Sequence, residues 1–246
     1  MEIVLKDGER IDWIGPKTQI IQSDDYFASS LDAILLANFA SNNKEQIVVD
    51  LGSGTGAVGM LYAQKTDAHI TMFDIQKDLT ELSQRSVELN KLEDQIDVIN
   101  ADMNDIFDYL PKNKINHILI NPPYFPINGD VNRMADDEHL KIARHEVKVN
   151  LEQIVQIARL GLKNQGKISM VHRPERLVEI LASFNQVKIE PKRLQFVRGK
   201  KDNPANMILL EAVKGAKPGI EILPDIVAYE NDNSQSQFIK DIYYGK

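Results

Sequence analysis

The chain has 246 residues, 43% hydrophobic and 26% charged, enough apolar surface for a sizeable core, and its net charge of −7 argues against a protein coated in nucleic-acid-binding charge, though not against a local basic patch. It has no cysteine, so disulfides and thiolate metal sites are excluded; the five histidines (His69, His117, His139, His145, His172) fall at no metal-ligand spacing, and no metal is expected. The start MEIVLKDGER lacks the long apolar core of a signal peptide and no run approaches the ~18 apolar residues of a membrane span, so a soluble, cytoplasmic protein is expected.

An N-terminal extension, residues 1–45, contains one helix: Leu31, Ile34, Leu35 and Phe39 share a face, with Ser29 or Ser30 as cap. From Ile47 onward, short apolar runs alternate with helical patterns. QIVVDL reads as a strand, 55–65 as a helix, HITMFD as a strand, and 77–92 as a helix carrying Leu79, Leu82, Val87 and Leu89. QIDVIN and INHILI are two further strands. Leu151, Ile154, Val155, Ala158 and Leu162 mark a helix over 151–162, which Asn164 and Gly166 are expected to end. KISMVH follows as a strand, Pro174 opens a helix reaching 184, and VKIEPKRLQFV and NMILLEAV close the pattern. Such alternation implies an α/β fold with an open, doubly wound, mostly parallel sheet over 46–213. Residues 214–246, rich in Gly, Pro, Asn, Asp and Ser, read as a loop or loose C-terminal tail.

The first strand runs into DLGSGTGAVG. Gly54, Gly56 and Gly59 form a literal GxGxxG, and Asp74 stands at the spacing of the dinucleotide fingerprint's acid. The same letters give Asp50-x-Gly52-x-Gly54-x-Gly56, an acid followed by glycines. A carboxylate at the mouth of the loop would repel a pyrophosphate and attract a cationic amino group such as that of S-adenosylmethionine. A turn needed only for strand-to-helix packing is the third reading. Asp74 is placed to accept from ribose hydroxyls, and Asp102, after the third strand, from an adenine amine. Asp50, Asp74 and Asp102 would stand at successive carboxyl ends of parallel strands, where open sheets bind ligands.

The fourth strand ends in Asn121-Pro122-Pro123-Tyr124. An exocyclic or amide nitrogen is a poor nucleophile because its lone pair is delocalised. The Asn121 amide oxygen and the Pro122 carbonyl would accept its two N–H groups and favour a pyramidal nitrogen, with prolines stiffening the turn and Tyr124 stacking on a planar base. A turn whose aromatic merely covers the sheet edge is the alternative.

With these motifs, 47–213 resembles a class I methyltransferase dependent on S-adenosylmethionine. The resemblance implies a Rossmann-like sheet of seven strands whose last is antiparallel. It also implies a cofactor loop at Asp50, Gly52, Ser53, Gly54 and Gly56, the ribose on Asp74 beside Ile75, the adenine on Asp102 beside Met103, and Asn121 at the transferred methyl. NPPY is shared by adenine-N6, guanine-N2 and protein-glutamine methyltransferases. SSLDAILLANFA, KIARHE and the strand ending near Pro174 are similar to bacterial valine-tRNA adenine-N6 methyltransferases, in which the first segment closes over the cofactor and Asp32 matches its acidic position. Ser29, Ser30 and Leu31 depart from the smaller residues of other members. That family methylates the adenine 3′ of the anticodon.

Charge adds an RNA argument. Residues 188–201 hold six cations (Lys188, Lys192, Arg193, Arg198, Lys200, Lys201) against Glu190 alone, a plausible phosphate contact or, alternatively, a strand edge with lysines that block aggregation. Arg144, with Arg133, Lys141 and Lys148, lies in the polar segment 127–150, which reads as a substrate lid. The rival functions are a protein-glutamine methyltransferase, an rRNA guanine-N2 methyltransferase, a non-catalytic RNA- or nucleotide-binding module, and a nicotinamide dehydrogenase.

Overall fold

A computed structural model describes residues 4–26, 31–42, 46–122 and 151–245. It opens with a hairpin absent from the expected elements: β1 (Glu9–Trp13) pairs antiparallel with β2 (Gln19–Ser23) about Gly15 and Pro16. The signal was present as apolar residues flanking a Gly-Pro turn. Helix α1 (Leu31–Phe39) carries the expected apolar face, burying Ile34, Leu35 and Phe39. Ser29 and Ser30 lie outside the described residues.

The sheet then builds as β3 (Ile47–Leu51), α2 (Ala57–Ala63), β4 (His69–Asp74), α3 (Lys77–Leu89) and β5 (Ile96–Asn100), followed by the short α4 (Ile106–Tyr109) and β6 (Ile115–Ile120). Every residue of β6 is buried, as in a parallel strand covered on both faces, and its two polar side chains are hydrogen-bonded, Asn116 to Ile47 N–H and His117 to Tyr62 and Ser169. Helix α5 (Leu151–Gly161) leads into β7 (Leu162–His172), α6 (Leu177–Gln186), β8 (Ile189–Arg198) and β9 (Ala205–Lys214). α5 ends earlier than expected: a β-carbon on Gly161 would meet Ile115 at 2.9 Å, so the helix stops where it runs onto the sheet. Asn164 and Gly166 fall inside β7, in the irregular stretch between the Ile115–Leu162 and His117–Lys167 pairs.

In space the seven principal strands lie in the order β8-β9-β7-β6-β3-β4-β5, with the last in sequence, β9, antiparallel to both neighbours. That is the doubly wound, mostly parallel sheet expected. One apolar cluster joins α1, α2 and α3 to one face (Leu36, Met60, Val87) and a second joins α4, α5 and α6 to the other (Ile106, Ile154, Phe184).

The C-terminal residues are not a loose tail, as their composition suggested. The two-residue strands β10 (Glu221–Ile222) and β11 (Ile226–Val227) both pair in parallel with the outer edge of β8, making nine strands. Helix α7 (Gln237–Tyr244), N-capped by the Ser236 hydroxyl, buries Ile239 in the α1–α2–α3 cluster. The polar letters here are caps and turns between a few buried apolar anchors, which a compositional reading averages away.

Candidate active site

Four parallel strands, β3 to β6, deliver their carboxyl ends to one edge of the sheet, and the segments that follow them meet there. After β3 the chain turns through Gly52, Gly54 and Gly56, all at positive φ, into α2. The turn is held from below and beside. Ser53 N–H donates to the Phe73 carbonyl at 2.9 Å, Gly56 N–H to the Ser53 carbonyl at 2.9 Å, and Gly54 N–H to Asp74 Oδ2 at 2.8 Å. At Gly56 a side chain is barred twice, by φ of +85° and by Ser83 Oγ, which a β-carbon would overlap.

Asp74, at the end of β4, therefore ties the loop. Its Oδ1 accepts from Gln76 N–H at 2.9 Å, and burial holds its carboxyl above the usual range against those two backbone hydrogen bonds. A carboxylate has about four acceptor sites, so both oxygens retain capacity for hydroxyl donors. The Asn100 side-chain amide, which the sequence reading missed, donates at 3.0 Å to the carbonyls of both Asp74 and Ile75 and fixes this strand end. Its signal was a polar residue closing an apolar strand. Ile75 itself is 45% exposed, an apolar surface beside the acid.

Asp50 is not at the mouth of the loop. Its carboxylate is 1% exposed beneath the turn, where Oδ2 accepts from Gly59 N–H at 2.9 Å and thereby caps α2, whose own N-cap Gly56 has no side chain to do so. Oδ1 has no hydrogen-bond partner among the described residues, and neither does the buried Ser53 Oγ. Burial pushes the Asp50 carboxyl up to about 7 against the Gly59 hydrogen bond, and the Asp74 charge adds to the rise.

Asp102 follows β5 and caps a short 3₁₀ turn, its Oδ1 accepting from the Asn104 backbone and side-chain nitrogens, each at 2.8 Å. Next to it, the Met103 methyl stands 3.9 Å from where a Gly52 β-carbon would be, so the segment after β5 reaches the glycine loop. Asp32 lies in the first turn of α1, whose buried face shares a cluster with α2. Asn121 is half-buried and Pro122 buried at the end of β6. β6 is hydrogen-bonded directly to β3, with Leu51 opposite Ile120, so Asn121 comes out about one strand spacing, ~4.8 Å, from the glycine loop. Pro123, Tyr124, Arg144 and the 127–150 segment lie outside the described residues.

The cations of 188–201 do not form one stripe. Arg193 is committed inward: Nη1 donates to the Phe39 carbonyl at 3.2 Å and lies 3.4 Å from Glu211 Oε1, with the guanidinium over the Phe39 ring at 4.7 Å. Lys192 donates to the Lys217 carbonyl at 3.1 Å, well before the end of β8. Arg198 bonds Asp225 at 2.5 Å and the Asn203 carbonyl at 2.7 Å, and Lys200 bonds the Asn231 carbonyl at 3.1 Å. Arg198, Lys200 and the exposed Lys201 stand at the carboxyl end of β8, on the same sheet edge as Asn121; Lys192 and Arg193 do not. Among the described residues no group of three histidine or acidic side chains is arranged to hold a metal, and no helix is long and apolar enough to cross a membrane.

The chain is similar to known methyltransferases. A protein named tRNA1(Val) (adenine(37)-N6)-methyltransferase in Parabacteroides distasonis is 28% identical over 191 residues, spanning 76% of this chain and 78% of that one. One of the same name in Shewanella baltica is 25% identical over 225 residues, 88% and 92% of the two chains. A crystal structure of a predicted O-methyltransferase from Agrobacterium tumefaciens superposes with a TM-score of 0.68 at 22% identity, over 86% of this chain and 95% of that one. The structure of Pyrococcus horikoshii TYW2 in complex with MeSAdo does so with 0.60 at 14%, over 86% and 73%. The profile of the Methyltransferase small domain matches residues 28–197, which takes in α1, the glycine loop, all three strand-end acids and Asn121-Pro122; the chain is a methyltransferase of that family.

Proposed function

We propose that the protein transfers the methyl group of S-adenosylmethionine to the exocyclic N6 amine of an adenine in tRNA, the adenine 3′ of the anticodon of a valine tRNA. The observation that carries the reading is the adjacency of the Asn121-Pro122 turn to the glycine loop on hydrogen-bonded strands. The names of the relatives support the choice of substrate.

The residues fit the cofactor. S-adenosylmethionine supplies an electrophilic methyl on a sulfonium and carries an ammonium group. The Asp74 carboxylate, and the Asp50 Oδ1 that has no partner among the described residues, put acceptors at the loop that suit the sulfonium and ammonium groups of the cofactor and would oppose a pyrophosphate. Asp74 would hold the ribose, Ile75 and Met103 the faces of the adenine, and Asp102 its amine, with Asp32 above them.

Asn121 Oδ1 and the Pro122 carbonyl accept the two N–H groups of the target amine, turning its lone pair out of conjugation. Positioning and hydrogen bonding to the developing positive charge then lower the barrier without a strong base, and the proton leaves to solvent after transfer. The test is an incubation with labelled S-adenosylmethionine and tRNA lacking the modification, followed by nucleoside mass spectrometry. N6-methyladenosine in valine tRNA is expected. Label in protein glutamine, or in N2-methylguanosine, would replace this substrate with another.

A further inference from the structure

We infer that the RNA strand flanking the target adenine runs across the carboxyl ends of β7, β9 and β8, meeting Arg173 first and then Lys200 and Lys201. The inference rests on the tRNA reading above and adds a residue, Arg173, and a direction to it.

The topology sets the path. β6 and β7 are parallel neighbours whose last register pair is Ile120 with Met170; continuing both chains past it brings Arg173 to the same edge as Asn121 and Pro122, on strands about one spacing, ~4.8 Å, apart. Because β9 is antiparallel, it begins rather than ends on this edge, and the turn 199–204 that joins it to β8 is here too. A strand of RNA leaving the target base over β7 therefore crosses β9 and reaches Lys200 and Lys201 at β8.

Arg173 is built for such a contact. It is exposed, its backbone N–H donates to His172 Nδ1 at 2.8 Å, and its Nη1 donates to the Asn206 carbonyl at 3.0 Å, so the guanidinium is oriented along the ledge toward β9. Pro174 follows at once and stiffens the turn. A planar fork of five donors suits a phosphate better than a lysine does. Of the arginines near it, Arg176 is paired with Glu179 and Arg198 with Asp225. Glu175 and Asp202 lie on the same ledge, so the local excess of positive charge is small and the geometry of the arginine should matter more than its charge alone.

The experiment measures tRNA binding between about 50 and 200 mM salt, in the presence of S-adenosylhomocysteine, for the wild type, Arg173→Gln, Arg173→Lys and the triple variant Arg173→Gln/Lys200→Gln/Lys201→Gln. Arg173→Gln should weaken binding about 3- to 10-fold and Arg173→Lys recover only part of that. In the triple variant the slope of log affinity against log salt should shrink by about 2, at ~0.7 per single-stranded phosphate contact. Cofactor affinity and Tm should stay at wild-type values, which a folding defect would not allow. Lys163→Gln, an exposed cation at the opposite end of β7, should change nothing. A triple variant with the wild-type slope, in a protein whose wild type methylates tRNA, overturns the path and leaves the function standing. A wild type that binds cofactor but methylates no tRNA overturns the function and the path with it.

Discussion

Asp50 shows how far single letters reach. That an acid would precede the glycines at the end of a strand was plain from the sequence, and so was its kinship with Asp74 and Asp102. Its place under the turn was not, because the alternation of a fully buried strand does not say which face a helix will cover. The consequence is measurable. An acid with a higher pKa folded than unfolded binds more protons in the folded state between those two values, so Asp50 withdraws stability from the cofactor-free protein as pH rises from about 4 through about 7. In Asp50→Asn the amide oxygen still accepts from Gly59 and carries no charge. The Tm of the cofactor-free variant relative to wild type should therefore rise between pH 5 and 8, while cofactor affinity falls; parallel Tm curves would contradict it. His172 has the opposite sign. Burial and the nearby Arg176 push its imidazole down to about 4, so its contribution is intact at neutral pH and is lost as pH falls from about 6.5 through 4. At Asp74 the expectation is simpler: Asp74→Ala releases Gly54 N–H and removes the proposed ribose acceptor, and cofactor affinity measured by calorimetry should drop at least tenfold.

Among the elements, α1 is the instructive one. Its apolar face was legible from spacing, but it has no basic residue in its last turn, and nothing local explains how its final carbonyls are satisfied. Distant strands and a neighbouring helix supply the donors. Lys65 donates to the Asn38 and Ala40 carbonyls at 3.1 and 2.5 Å, Arg193 to Phe39, and Lys167 and Tyr62 to Ser41 at 2.7 and 2.8 Å. Behind them Glu211 accepts from the Ser41 hydroxyl at 2.7 Å; burial raises its carboxyl, and Ser41, His117 and Lys167 more than reverse that. Arg193, which sequence charge suggested for RNA, thus belongs to a helix terminus and a half-buried ion pair. Arg193→Gln should cost about 1–3 kcal/mol in denaturant unfolding and leave the salt slope of tRNA binding unchanged. A stable variant with weakened RNA binding would reverse the assignment. The hairpin is likewise tied to α3 by contacts with no sequence signature: Ile21 N–H on Ser86 Oγ at 2.9 Å, Gln19 N–H on Asn90 Oδ1 at 2.9 Å, and Arg85 on Glu9 at 2.7 Å.

For the whole molecule, strand-helix alternation was enough to give the doubly wound sheet and, through it, the edge on which the chemistry sits. The two ends of the chain were harder. Their elements are short and depend on pairing with distant residues, as when Gly245, capping α7 at a φ of +71°, packs against Pro16 of the hairpin turn. The C-terminal residues should accordingly be integral: deleting 216–245 exposes the β8 edge and Ile239's pocket, and a Tm lowered by several degrees, or insoluble protein, is expected. An unchanged Tm would mean that the segment merely rests on the sheet. What the fold accomplishes as a unit is to bring Asn121 and Pro122, at the end of β6, beside the glycine turn that follows β3. The sharpest measurement of that arrangement is single-turnover methyl transfer to tRNA by Asn121→Ala, with cofactor affinity determined on the same preparation. Transfer should slow by about 10²–10³-fold while cofactor affinity stays within about threefold. Transfer at the wild-type rate, or a loss of cofactor affinity as large as the loss of rate, would contradict it.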